Sequence, residues 1–176
     1  MTAPLTRQLG RFVSALRYDS LPKAALDAVR TGFTDCIAVM QAGIDEPVAR
    51  IVREQLGTRG KSGEASLYLG SEFASAPEAA LANAVAGHAL DYDDVALAGH
   101  PSVVLVPAVL AEAEAVGASG REAVAAYVAG YEVWAHLIER DHRGDGKGRD
   151  HPGRGADRDA AAGVSLEDDD GGAIGA

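Results

Sequence analysis

Two histidines and two aspartates within one short segment are the strongest candidates for chemistry. His88 lies three residues before Asp91, which lies three residues before Asp94. Residues three apart share a helix face, so a helix that continues to Asp94 places an imidazole beside two carboxylates. His100 lies between a glycine and a proline, which allows its imidazole to fold back over the helix end. The segment therefore offers acids and bases for proton transfer.

Two other interpretations of this segment compete with catalysis. In the first, His88 is a hydrogen-bonded core residue, and Asp91, Asp93 and Asp94 form a solvated acidic end of the helix. Carboxylates at a helix C-terminus, however, interact unfavourably with the helix dipole. Alternatively, two histidines and two carboxylates can bind zinc, iron or manganese. Their spacing matches no established ligand signature, so the sequence predicts no bound metal.

The elements around this segment are predicted to be helices. Apolar residues recur at helical spacing over 5–16, 21–40 and 48–56, and again from Pro77 towards Asp91. The aromatic fraction is only 5%, and Ala and Gly are abundant, which favours close-packed helices over a β-sandwich. Residues 60–76 are predicted to be a connection with a possible extended piece. The sequence thus predicts an all-α helical bundle.

Several helix ends are marked by capping residues. Asp19 or Ser20 can cap the second helix, and Gly43 can end it. Ser119 and Glu122 have the spacing of a capping box, which predicts the start of the last helix. The run 103–106 is β-branched enough for a buried strand, yet helix-forming residues follow it, so periodicity leaves both possibilities open.

Charge and composition exclude several classes of function. The formal net charge is −10, which repels polyanions and therefore argues against binding to nucleic acid or to an anionic membrane. The single cysteine, Cys36, rules out a disulfide within the chain and is predicted to lie in the core. No apolar stretch has the length of a membrane span or of a secretory signal, so we expect a cytoplasmic protein.

The composition changes abruptly at Asp141. Residues 142–176 hold 9 Gly, 8 acidic and 5 basic residues, too few apolar groups to offset the entropy of ordering. We therefore predict a partial helical domain over 1–141 and a disordered tail over 142–176. A frameshift or another truncation explains the abrupt junction better than a regulatory arm does.

Four motifs in order resemble the MmgE/PrpD family. They are His88–Asp94, a short loop to Gly99, His100–Ser102 and Gly130–Val133. The resemblance covers about residues 5–140 and implies a mainly helical domain, which includes 103–106. Family members such as 2-methylcitrate dehydratase, cis-aconitate decarboxylase and iminodisuccinate epimerase move protons next to a carboxylate of small polycarboxylates, without metal or organic cofactor. The resemblance also implies a possible homodimer.

The resemblance assigns roles to four residues. Asp91 and His100 match positions that line the family's active site and are the predicted catalytic pair. His88 and Asp94 are the predicted substrate-binding residues. Val95 stands where some relatives carry threonine, and the loop before His100 is shorter than in the decarboxylase, which argues against cis-aconitate decarboxylation.

The charge around these residues does not suit a polycarboxylate. No Lys or Arg lies between Lys61 and Arg121, whereas eight acidic residues do. In the family, lysine and other polar groups come from later parts of the chain. We therefore expect a truncated lyase with little or no activity alone. A noncatalytic helical dimerisation module and a metal-dependent hydrolase are the alternatives.

Overall fold

The computed structural model describes residues 4–56 and 63–144, with side chains described as far as Arg140. Within these residues the chain forms six α-helices and one two-stranded hairpin, which confirms the all-α prediction. The elements are α1 (Leu5–Ala15), α2 (Lys23–Gly43), α3 (Pro47–Leu56), β1 (Ala65–Ser66), β2 (Phe73–Ala74), α4 (Ala76–His88), α5 (Pro101–Val116) and α6 (Gly120–Gly144). The antiparallel hairpin is the extended piece predicted in the connection before α4.

The predicted helix ends are confirmed at two places and wrong at a third. α2 ends at Gly43, and Glu122 accepts hydrogen bonds from the Ser119 amide and hydroxyl at 2.7 and 2.8 Å. Asp19 and Ser20, however, lie in a short 3-10 turn, and Pro22 occupies the cap position of α2. Proline supplies no side-chain hydrogen bond there, so α2 begins uncapped.

The run 103–106 is helical and lies in α5, as the family resemblance implies. Pro101 stands in the first turn, where a missing amide proton costs nothing. Val103 and Val106 are buried and pack in one cluster with residues of α2 and α6. Burial in this cluster explains Val103 and Val106, whereas the third valine of the run, Val104, is exposed.

Helix α4 is held between three other helices, and this arrangement positions the candidate residues. It packs against α2, α3 and α5. A Cβ atom added at Gly43 would lie 2.0 Å from the Ala86 carbonyl oxygen, and one added at Gly87 would lie 2.7 Å from Val103. The C-terminal end of α4 is therefore packed closely between α2 and α5, and this packing positions His88, the last residue of α4.

Cys36 lies in the core, as predicted, with no exposed surface. Burial raises the pKa of its thiol to about 12, so it is not a candidate nucleophile. Within the described part of the chain, no helix combines the length and apolar character needed to cross a membrane.

The predicted domain boundary at residue 141 falls inside α6, whose backbone remains helical to Gly144. The predicted tail from residue 145 to 176, including its predicted disorder, lies outside the described residues.

Candidate active site

The helix does not continue to Asp94, so the condition for a common helix face is not met. α4 ends at His88, and Asp91 adopts a left-handed backbone conformation with φ of 53°. A non-glycine residue with positive φ interrupts the helical path, although aspartate tolerates this conformation better than most residues. Asp91 and Asp93 therefore lie near the histidines, whereas Asp94 points towards Ser102.

Asp93 forms the centre of a cluster with both histidines. Its side chain has 0% exposure, and its two carboxylate oxygens lie 2.9 and 3.2 Å from Nδ1 of His88. Nδ1 of His100 lies 3.1 Å from Oδ2 of Asp93. The two imidazole rings meet edge to face, with centroids 4.7 Å apart. One buried carboxylate thus contacts an imidazole nitrogen of each histidine.

The two contacts with Asp93 differ in quality. The contact with His88 has hydrogen-bond geometry, whereas Nδ1 of His100 is buried and has no hydrogen-bond partner among the described residues. The distance from this nitrogen to Asp93 is short enough for an ion pair, so the missing bond reflects misalignment rather than separation. Because a misaligned contact is weaker than a hydrogen bond, His100 is held less firmly than His88.

Asp91 lies at the mouth of the cluster. Its Oδ1 atom is 3.9 Å from Nε2 of His100, and 78% of its side chain is exposed. The structure thus brings together three of the predicted residues, His88, Asp91 and His100. It adds Asp93, which the sequence placed only in an acidic helix end and which its position within the family motif could have indicated.

Asp94 faces away from the histidines. Its two oxygens accept hydrogen bonds from the Ser102 amide at 3.0 Å and the Ser102 hydroxyl at 2.8 Å. The Ser102 hydroxyl also lies 2.8 Å from the Tyr127 hydroxyl. Burial raises the pKa of Asp94, and the bonds from Ser102 partly oppose this shift. Asp94 satisfies an otherwise unpaired amide at the start of α5 and links α5 to α6.

A tight turn orients His100. Ala96 and Gly99 exchange two backbone hydrogen bonds of 3.0 and 2.9 Å, and the residues between them, Leu97 and Ala98, have φ of 50° and 57°. Left-handed conformations of residues with a Cβ cost about 1–3 kcal/mol each and require support from the surroundings. Trp134 supplies packing, because its ring would lie 3.0 Å from a Cβ atom at Gly99.

An acidic cavity of about 550 Å³ lies on the other side of this loop, between α2 and α6. Its polar lining is made of three carboxylates, three tyrosines and one threonine: Asp35, Asp94, Glu132, Tyr92, Tyr127, Tyr131 and Thr31. Burial and, to a smaller extent, the charge of Glu139 raise the pKa of Glu132 to about 8. Neither Lys nor Arg is among the described lining residues, which agrees with the charge distribution in the sequence.

The sequence does not identify Asp35 and Glu132 as site residues, although both fall within the region of family resemblance. Asp35 has a buried oxygen, Oδ2, without a hydrogen-bond partner among the described residues. Glu132 belongs to the Gly130–Val133 motif, which is the one signal that could have indicated it.

Comparison with known protein families places these residues in context. A family model described as the MmgE/PrpD N-terminal domain matches residues 7–151. The match includes all four predicted site residues, and it continues beyond residue 140, where the motif-based resemblance ends. No curated protein showed a significant match to the chain.

Proposed function

The chain belongs to the MmgE/PrpD family, and we propose that His88 and His100 move protons at a carbon next to a carboxylate of a small polycarboxylate. The reaction is a dehydration of the 2-methylcitrate type. A base removes a proton from this carbon, and the neighbouring carbon loses its hydroxyl group, which leaves as water after protonation. The carbon–carbon double bond forms between them.

The observation that carries the proposal is the pair of imidazoles on one buried carboxylate. An imidazole whose Nδ1–H group faces a carboxylate is held in the tautomer that leaves Nε2 for acid or base chemistry. Asp93 contacts Nδ1 of both rings. Dehydration needs a base at one carbon and an acid at the next, and two adjacent imidazoles suit these roles.

The remaining aspartates have different tasks in this proposal. Asp93 is a positioning residue, because it is unexposed, hydrogen-bonds His88 and lies within ion-pair distance of His100. Asp91 lies beside Nε2 of His100 and is exposed enough to contact the substrate. Asp94 supports the start of α5 through Ser102 and lines the cavity rather than the pair of imidazoles.

The test is an NMR assay of 2-methylcitrate with the purified chain in D₂O, which detects both proton exchange and alkene formation. We expect turnover below the usual enzymatic range of about 1–10³ s⁻¹, because no Lys or Arg lies between Lys61 and Arg121, the stretch that carries both histidines. His100→Ala should reduce the rate by about a hundredfold or more, the usual effect of losing an acid–base residue. Asp91→Asn should reduce it less.

Asp45→Asn is the matched control, since Asp45 is an exposed carboxylate in the turn after α2. It should retain the rate of the unmodified chain. Two results would refute the proposal: no exchange or product with 2-methylcitrate, cis-aconitate or iminodisuccinate, or full activity of a folded His100→Ala variant.

A further inference from the structure

The two histidines and their carboxylate partners have the composition of a divalent metal site. His88, Asp91, Asp93 and His100 each offer one ligand atom, and these four atoms lie within 4.8 Å of one another. Two neutral imidazoles with two carboxylates carry a charge of −2, which balances a divalent cation. We propose that this cluster, named here the His88–His100 cluster, binds a divalent transition metal of the zinc type.

The distances within the His88–His100 cluster fit such an ion with small movements. Bonds of about 2.0–2.1 Å in a tetrahedral arrangement separate neighbouring ligand atoms by about 3.4 Å. The contacts of Asp93 with Nδ1 of the two imidazoles span 2.9–3.2 Å. The Asp93 contacts need to lengthen by less than an ångström, and atoms that lie as much as 4.8 Å apart need to approach by about 1.4 Å.

One imidazole nitrogen of the cluster lacks a hydrogen-bond partner among the described residues, which favours a bound metal ion over a network held by hydrogen bonds alone. Nδ1 of His100 is buried next to Asp93 but makes no hydrogen bond among the described residues. Its neighbours also include the ring of His88, whose Nδ1 faces the same carboxylate. A cation between these three groups would satisfy the nitrogen that the protein alone leaves without a partner.

The surroundings of the cluster also favour a cation. The stretch between Lys61 and Arg121 contains acidic residues and no Lys or Arg, and Asp91 is exposed enough to rotate onto an entering ion. A cation bound to the two Nδ1 atoms would displace their contacts with Asp93 and would disfavour protonation of both rings at Nε2, so Zn²⁺ should inhibit the reaction. This inhibition rests on the proposed function, whereas the binding itself does not.

The test is calorimetric titration of the untagged, metal-free chain with ZnCl₂, without substrate. We expect one Zn²⁺ per chain with a micromolar or lower dissociation constant. Titration with CoCl₂ should give the intense visible absorption of a four-coordinate site. Asp91→Asn, an exposed substitution that does not threaten folding, should weaken binding by about tenfold, and His88→Ala with His100→Ala should abolish the one-to-one site.

The control is a variant that combines His142→Ala with His151→Ala, because these two histidines lie outside the cluster in sequence and their side chains lie outside the described residues. It should bind Zn²⁺ as the unmodified chain does. The proposal is overturned by the absence of stoichiometric binding, by unchanged affinity of Asp91→Asn, or by loss of binding in the control. Binding without any lyase activity would refute the proposed function alone.

Discussion

At the scale of single residues, the environment of Glu132 makes stability depend on pH. Its pKa rises from 4.5 to about 8 in the folded protein, mainly through burial. Between these values the folded state binds a proton that the unfolded state has released, so stability falls as the pH rises through this range. Glu132→Gln should remove this loss. Thermal unfolding measured at a series of pH values should show that the melting temperature of the variant, relative to that of the unmodified chain, increases with pH up to about pH 8.

Glu54→Gln provides the control for this prediction, because Glu54 is an exposed glutamate on α3. Its melting temperature should follow that of the unmodified chain at every pH. Parallel pH profiles for Glu132→Gln and the unmodified chain would show that the buried carboxylate does not contribute to the pH dependence.

At the scale of elements, the close contact between α2 and α4 determines where the candidate site lies. The methyl group introduced by Gly43→Ala would lie 2.0 Å from the Ala86 carbonyl oxygen, which belongs to the backbone and cannot rotate away. Overpacking of this kind typically costs about 1–3 kcal/mol. We expect Gly43→Ala to lower the urea midpoint measured by circular dichroism.

Gly10→Ala is the matched substitution on α1, where no atom lies within 4 Å of the added carbon. Replacing a glycine inside a helix by alanine there should stabilise the protein by about 0.5–1 kcal/mol. Equal urea midpoints for the two variants would mean that the helices separate without cost, contrary to the packing observed.

At the scale of the whole molecule, the negative charge should oppose binding of an anionic substrate. The chain has 26 acidic and 16 basic residues, and salt shortens the Debye length from about 30 Å at 0.01 M to about 8 Å at 0.15 M. Weaker repulsion should lower KM for 2-methylcitrate as NaCl is added, with little change in kcat. The NMR assay measures both constants.

Sucrose at matching osmolarity is the control, since it does not screen charge and should leave KM unchanged. A rise of KM with salt would contradict the prediction. It would indicate that cations outside the described residues dominate the field at the site.

The sequence by itself determined the helical class, most helix positions and the segment that carries the candidate site. These properties depend on neighbouring residues: apolar spacing marks α2 and α3, the Ser119–Glu122 box marks α6, and the motifs from His88 to Ser102 mark the family. Local patterns carry this information because helix periodicity and capping act within a few residues. The run 103–106 is the exception, since its β-branched residues leave helix and strand open.

Only the tertiary structure decided which side chains meet. The left-handed backbone at Asp91 and the turn packed on Trp134 bring His100 to Asp93, and Ser102 turns Asp94 towards Tyr127. These directions depend on Ser102 at the start of α5 and on Tyr127 and Trp134 of α6, which is distant in sequence. No helical spacing rule applies to residues 91–99, because the backbone there is not helical, and packing therefore decides the geometry of the site.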